Sequence, residues 1–349
     1  MPSSSEAVGD LPNRIFVVRH GERLDSKDKR WWQSLHSDRP HDSPLTDHGR
    51  FQGRVFGAHV LDRAGAPRGD AHYSVVTSPM VRAVDTAHHI AEPLQVSKIH
   101  VDEALIEVGW YMQDALTVKD RSFVERSVVP SCRAVVLGDS AERARRLEEG
   151  AGVRPTVSKG GVAVPICGVS LSRDALQQHV SPLVNAECHG IAPREYRVVQ
   201  DAVSGELKRA NGDVACCEKA AQSAVARLVD PAKRAELPAH WRRGADHTLV
   251  LVGHGDSVYA WCKALLGQFE LDFPAPFEFN CFVELRRKVG ATANPAAPYE
   301  LVSPYFGTDH LKGARLQELT VRLSSLSLPP IPSACPLDAA AEADGDDAA

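Results

Sequence analysis

The segment Arg14-Ile-Phe-Val-Val-Arg-His-Gly-Glu-Arg23 is the clearest indication of the fold. Its run of β-branched and aromatic residues predicts a buried strand over Ile15 to Val18 that stops at Arg19. His20 then follows the carboxyl end of a strand, which is where open α/β sheets bind their ligands, and Gly21 allows a sharp turn there. We therefore expect an α/β sheet with a histidine at its ligand-binding edge.

Two further strand ends repeat this arrangement. The apolar run Thr248 to Val252 leads into Gly253-His254-Gly255, a second histidine between glycines. A third strand, Ser74 to Thr77, runs into Ser78-Pro79, and this pair is typical of a helix start. Arg82 then lies one turn into that helix, whose N-terminus favours anions.

Helical patterns alternate with these strands and with a fourth predicted strand, Cys281 to Leu285. Thr46 is placed to cap one helix, Asp213 opens another, and a third runs from Asp256 or Ser257 to a stop at Gly267. This alternation predicts a three-layer α/β domain with a mostly parallel central sheet and helices on both faces.

The chain has 349 residues, enough for one large α/β domain with an insertion. We assign the domain to residues 14–323 and the insertion to about 111–205, with a helix near 140–149 and some strands. Residues 1–13 and 324–349 are polar or acidic without apolar periodicity, which predicts disorder at both ends.

The charge balance excludes several function classes. The chain has 40 basic and 45 acidic residues, and the five excess acids all lie in the C-terminal tail, so the domain itself is neutral. It offers no electrostatic reason to expect nucleic-acid or anionic-membrane binding.

The eight cysteines form no metal or disulfide pattern, and no secretory signal or membrane-spanning run is present. We expect a cytoplasmic protein, with a nuclear location left open.

The convergent strand ends predict the chemistry of the ligand. They combine the imidazoles of His20 and His254 with the guanidinium groups of Arg19, Arg23 and Arg82. Arginine forks match phosphate oxygens, so a phosphoryl group is the natural ligand of such a site. Taken alone, the first segment is equally compatible with a surface histidine between two arginines.

Four motifs together resemble one known family. They are RHGER at 19–23, PLTDHG at 44–49, TSPMVRAVDTA at 77–87 and VGHGDS at 252–257. In this order they resemble the histidine phosphatase superfamily, also called phosphoglycerate mutase-like, over roughly residues 14–320 and with least support across 111–205. RHGERLD, DSPLT and VDEALIE are most similar to the protein-tyrosine-phosphatase-like branch found fused to ubiquitin-binding adaptor domains.

The resemblance implies a phosphohistidine mechanism without metal or cofactor. His20 would attack phosphorus in line, while Arg19, Arg23, Arg82 and His254 would hold the phosphate oxygens and stabilise the developing charge. Physical chemistry agrees with this assignment, because nearby cations disfavour an imidazolium and keep the nucleophile neutral.

A carboxyl group must protonate the leaving oxygen and later deprotonate water. The branch carries its acid in a Val-Glu-Pro-x-Leu-x-Glu pattern, which assigns the role to Glu107, although Asp102 and Glu103 stand where Glu-Pro is usual. Glu103, Glu22 and Asp256 remain alternatives.

The loop after the first motif carries Trp31 and Trp32, which either pack or line the mouth of the substrate site. An aromatic mouth favours aryl or phosphotyrosine-type monoesters, on a small molecule or a phosphoprotein. A phosphomutase is disfavoured, because RHGERLD lacks the Ser, Trp and Asn that glycolytic mutases carry there. A weakly active scaffold that binds phosphate is the other alternative. His88-His89, on the helix after Arg82, is expected to be a surface pair.

Overall fold

The computed structural model describes most of the predicted domain. Its residues are 11–27, 42–106, 157–158, 161–165, 173–185, 195–200, 207–209, 213–242, 244, 246–268, 278–288, 297–303 and 306–331. The predicted helix near 140–149 lies outside them. None of the described helices combines the length and apolar character needed to cross a membrane.

Ten strands are present in the described residues. They are β1 Arg14–Arg19, β2 Tyr73–Thr77, β3 Ile99–Val101, β4 Val157–Ser158, β5 Gly161–Pro165, β6 Glu195–Gln200, β7 Leu207–Arg209, β8 Thr248–Gly253, β9 Phe282–Arg287 and β10 Tyr299–Leu301. The described residues also form eight helices. These are α1 Leu24–Lys27, α2 Asp47–Ala64, α3 Val81–Leu94, α4 Arg173–His179, α5 Asp213–Val229, α6 Pro231–Arg234, α7 Gly255–Leu266 and α8 Gly313–Ser324.

The central sheet has six strands in the order β10-β9-β1-β8-β2-β3. β1, β8, β2 and β3 run parallel, whereas β9 pairs antiparallel with β1 and β10 antiparallel with β9. The mostly parallel sheet predicted from the sequence is therefore confirmed, with its antiparallel pair at one edge. At the other edge β3 is covered, because Ile99 hydrogen-bonds Leu183 and Asn185.

Helices cover both faces of this sheet because its strands alternate their side chains between two apolar layers. Ile15 and Val17 of β1 face a core that includes Trp241 and Trp261. Phe16 and Val18 face the opposite core, which contains side chains of α2 and α3. This arrangement is the three-layer α/β class expected from the sequence.

The helix starts are partly as predicted. Thr46 caps α2 as expected, since its Oγ1 accepts from the Gly49 amide at 3.0 Å. The start of α3 differs, because the backbone begins the helix after Met80 and not at Ser78-Pro79. The Val81 amide instead donates to Asp42 Oδ1 at 2.8 Å, so a carboxylate 39 positions away caps this helix.

A second, four-stranded antiparallel sheet has the order β4-β5-β6-β7. Three of its strands fall in the predicted insertion, and β7 lies just past the predicted end at residue 205. The predicted disordered ends need correction at their inner boundaries. Leu11 is buried in the core, and Leu326 and Leu328 pack against the cluster formed by α2 and α8. Apolar side chains that find a core surface order these short segments.

Candidate active site

The three predicted strand ends lie side by side at one edge of the central sheet. β8 is hydrogen-bonded to β1 on one side and to β2 on the other, with Arg19 opposite Gly253 and Thr77 opposite Val252. His20 and His254 follow these ends directly, and their ring centroids are 5.3 Å apart. Parallel pairing in register thus brings together two histidines that are 234 positions apart.

The ring of His20 is buried and oriented by its own turn. Its Nδ1 lies 2.8 Å from the carbonyl oxygen of Gly21. A carbonyl can only accept, so Nδ1 carries the proton and Nε2 of the neutral ring is left with its lone pair. Nε2 is buried and has no hydrogen-bond partner among the described residues.

The surroundings keep this imidazole neutral. Burial lowers the pKa of His20 well below its usual value, and the positive charges of Arg82, Arg19, His254 and Arg23 lower it further. A neutral imidazole with an unshared Nε2 lone pair is the form that can act as a nucleophile.

A close backbone approach fixes the turn after His20. A Cβ on Gly21 would overlap the carbonyl oxygen of Gly49, and a Cβ on Gly49 would overlap that of Glu22. The Gly21 amide also donates to Thr86 Oγ1 at 2.9 Å. These contacts join the end of β1 to the first turns of α2 and α3, and only glycine leaves room for them.

Arg82 is fully buried and pairs with a carboxylate. Its Nη1 lies 3.5 Å from Asp42 Oδ1, and neither side chain is exposed. Asp42 is the first residue of the DSPLT motif, and no role in the site was assigned to it from the sequence. A partner 40 positions away leaves no local pattern.

Arg19 and Arg23 stand on either side of His20 in the chain. The guanidinium carbon of Arg19 lies 4.7 Å from the ring centroid of Phe279, an aromatic residue that the sequence analysis did not single out. The Phe279 ring is also 5.8 Å from that of His20. Nε of Arg23 is 3.0 Å from Asp25 Oδ1.

His254 is held at the N-terminus of α7. Its backbone amide donates to Ser257 Oγ at 2.7 Å, and its Nε2 lies 2.8 Å from Ser78 Oγ. Ser78 thus links the ends of β2 and β8 through its hydroxyl group. The sequence had indicated Ser78 only as a helix cap.

The predicted acid and the predicted mouth lie outside the described residues: these are Glu107, Trp31 and Trp32. Of the alternative acids, Glu22 is engaged by other residues, since Oε1 accepts from Thr46 Oγ1 at 2.9 Å and Oε2 is 3.0 Å from Lys27 Nζ. Asp256 is half-buried in the first turn of α7.

A group of metal-ligand type in the described part of the chain lies elsewhere, on α3. It consists of His88, His89 and Glu92, whose ligand atoms lie within 4.8 Å of one another. Arg54 donates to both oxygens of Glu92, at 2.6 and 2.9 Å, and this positive charge opposes a bound cation. The expected surface pair is only half right, because His89 is buried.

The fold and this geometry define an α/β protein with a buried histidine and arginine site suited to an anionic group. Residues 15–122 match the model of the histidine phosphatase superfamily (branch 1). The match confirms the resemblance and contains three of the four motifs, while VGHGDS at 252–257 lies outside it.

Individual proteins are similar to parts of the chain. Ubiquitin-associated and SH3 domain-containing protein A of Mus musculus is 30% identical over 142 residues, a match that covers 30% of this chain and 22% of that protein. The chain thus spans less than a quarter of this relative.

Two solved structures are similar to the chain at low identity. The ecdysone phosphate phosphatase of Bombix mori, in complex with tungstate, has a TM-score of 0.42 and 17% identity, with 84% of this chain and 92% of that chain covered. A mycobacterial glucosyl-3-phosphoglycerate phosphatase has a TM-score of 0.37 and 16% identity, with 84% and 98% covered.

Proposed function

We propose that the protein is a phosphatase that hydrolyses phosphate monoesters through a phosphohistidine intermediate on His20. The observation that carries this proposal is the buried, neutral imidazole with its Nε2 lone pair free, beside the guanidinium groups of Arg19, Arg23 and Arg82. The match of residues 15–122 to the histidine phosphatase superfamily model supports the phosphatase class.

In the first step the Nε2 lone pair attacks phosphorus while the bond to the ester oxygen breaks, and the leaving oxygen takes a proton from a carboxyl group. In the second step the same carboxylate removes a proton from water, which attacks phosphorus and releases phosphate and His20. Arg82 and His254 hold oxygens whose charge grows in both transition states. Glu107 is our proposed acid and base, on the strength of the sequence pattern.

We propose that no metal takes part, because three guanidinium groups supply the charge stabilisation that a dication would otherwise provide. Activity toward an aryl phosphate should survive exhaustive chelation. A rate that returns only on addition of a divalent ion would contradict this part of the proposal.

We propose aryl monoesters, including phosphotyrosine, as the substrate class. Phe279 supports this choice, since its ring lies beside both His20 and Arg19 and offers an aromatic surface next to the phosphate position. Trp31 and Trp32 remain the proposed outer part of the mouth. The discriminating measurement is kcat/KM for a phosphotyrosine peptide against phosphoglycerate.

The decisive experiment is to trap the phosphoenzyme during turnover of a labelled aryl phosphate. Acid-labile, base-stable label should appear on the wild type and be absent from His20→Ala, whose rate should fall by at least about a hundredfold. A mutase would transfer the label to an acceptor alcohol without releasing phosphate, and a scaffold would show neither label nor turnover. His88→Ala, on α3 outside the site, serves as the matched histidine control.

A further inference from the structure

We infer that Asn280 and His310 form a positioning pair that holds the nucleophile's backbone in place from the β9 side of β1. The inference rests on the proposed function of His20, and neither residue carries a motif of the sequence analysis. The pair acts indirectly on His20. It acts through the turn of residues 278–281, which precedes β9.

This turn is hydrogen-bonded to two consecutive residues at the end of β1. The Asn280 amide donates to the carbonyl oxygen of His20 at 3.1 Å, and the Arg19 amide donates to the carbonyl oxygen of Cys281 at 2.9 Å. The ring of Phe279, in the same turn, packs beside the ring of His20. Any shift of the turn would therefore move the nucleophile.

Asn280 has a conformation that its side chain helps to maintain. Its φ of 57° lies in the left-handed region, which asparagine tolerates better than most residues. The residue is completely buried, and its Oδ1 lies 2.8 Å from Nε2 of His310. Because an amide oxygen only accepts, Nε2 of His310 is the donor.

His310 belongs to a short 3-10 helix, Asp309–Leu311, which is anchored to the same turn by other bonds. Phe282 and Gly307 exchange backbone hydrogen bonds of 3.1 and 3.0 Å, and Thr308 Oγ1 donates to Glu278 Oε2 at 2.9 Å. Burial lowers the pKa of His310 well below its usual value, which favours the neutral ring that makes this bond. The turn of residues 278–281 and the 3-10 helix are thus bonded to each other next to His20.

In this arrangement, different residues position His20 and Arg82. Asn280 holds the carbonyl of His20, and the next carbonyl, that of Gly21, holds the ring through Nδ1. Arg82 is oriented separately by Asp42. Loss of the pair should therefore misplace Nε2 and lower kcat, while the affinity for inorganic phosphate stays nearly unchanged.

The test compares His310→Phe, which keeps an aromatic ring without the donor, with His310→Gln, which restores an N–H donor. Asn280→Gly removes Oδ1 but accepts the left-handed backbone. We expect His310→Phe and Asn280→Gly to lower kcat by at least about tenfold, because small displacements of a nucleophile are costly. The inhibition constant for inorganic phosphate should change by less than about twofold, and His310→Gln should recover most of the rate.

Nitrogen-15 NMR of the His20 ring gives a readout that needs no turnover. Wild type and His310→Gln should show the Nδ1-protonated ring in one environment, and His310→Phe a shifted or divided signal. If the wild type hydrolyses no ester, the proposed function fails while the NMR result still decides the positioning role. An unchanged His20 signal in His310→Phe, or equal losses of kcat and phosphate affinity without rescue by glutamine, would overturn the inference.

Discussion

Asp42 and Arg82 meet inside the candidate site as a fully buried ion pair, with Oδ1 3.5 Å from Nη1. The same oxygen accepts from the Val81 amide at 2.8 Å. Asp42 therefore orients Arg82, which is proposed to bind the phosphate, and also caps the helix that carries Arg82. When phosphate arrives, Arg82 gains a second anionic partner.

We predict that Asp42→Asn destabilises the protein by about 3 kcal/mol in the absence of anions, because it removes one partner of a buried pair while Asn keeps an acceptor for Val81. Saturating inorganic phosphate should recover part of this loss, since the phosphate supplies a negative charge next to Arg82. Urea unfolding with and without phosphate measures both effects.

The control is Asp47→Asn, which breaks the ion pair of an exposed carboxylate with Arg50. This change should cost less than about 1 kcal/mol and leave the effect of phosphate unaltered. If phosphate stabilises wild type and Asp42→Asn equally, the proposed link between Asp42 and the anion site is wrong.

Ser78, directly after β2, and Ser74, within β2, offer a matched comparison. Each serine hydroxyl lies 2.8 Å from the Nε2 of a histidine, Ser78 with His254 at the site and Ser74 with His247 at the far end of β2. Ser78→Ala should lower kcat/KM by about tenfold, because it frees a ring proposed to hold the phosphate. Ser74→Ala should cost about 1 kcal/mol of stability at full activity.

Steady-state kinetics and thermal unfolding of both serine variants decide the matter. Equal losses of activity would mean that the histidine and serine bonds serve only the fold. Retained activity in Ser78→Ala would remove His254 from the proposed machinery.

The predictable part of the site came from local patterns. β1, β2 and β8 each carry an apolar run with a strong end signal, and parallel pairing brings their carboxyl ends together. His20 and His254 are predictable because each follows such an end directly, and Arg82 because it lies at the start of the helix that follows β2.

The remaining site residues act across long separations in sequence. Asp42 reaches Arg82, Ser78 reaches His254, and His310 reaches Asn280, and in each pair neither residue lies in a periodic pattern that points to the other. Side-chain hydrogen bonds depend on tertiary packing, so no local rule identifies them. Asn280 left one weak signal, since asparagine is favoured where the backbone is left-handed.

Gly21 tests how tightly the turn after His20 must pack. We predict that Gly21→Ala lowers kcat/KM by at least about tenfold, because its Cβ would overlap the Gly49 carbonyl and push the backbone away. Gly65→Ala is the control. Gly65 ends α2 at a φ of 65° with open space around a Cβ, so it should cost about 1 kcal/mol and no activity. Activity assays that show no difference between the two alanine variants would contradict the packing argument.

Buried histidines should make the protein sensitive to acid. Burial, followed by the charges of Arg315 and Arg63, lowers the pKa of His59 from 6.5 to about 4. Between these two pH values His59 is protonated in the unfolded chain but not in the folded protein. The contribution of His59 to the free energy of unfolding is therefore complete above pH 6.5 and falls as the pH drops toward 4. For this one group the slope reaches about 1.4 kcal/mol per pH unit.

We predict that His59→Phe, which keeps a ring against Phe56 and Phe282, flattens the pH dependence of stability between pH 6.5 and 4. Urea unfolding at half-unit pH steps gives the slope, and slopes are compared because the variant also alters packing. His20 and His310 keep their own contributions, because burial lowers the pKa of each well below its usual value. In His59→Phe the slope of the free energy of unfolding against pH should therefore fall by the contribution of one proton and remain above zero. A slope equal to that of wild type would show that His59 takes up its proton in the folded state.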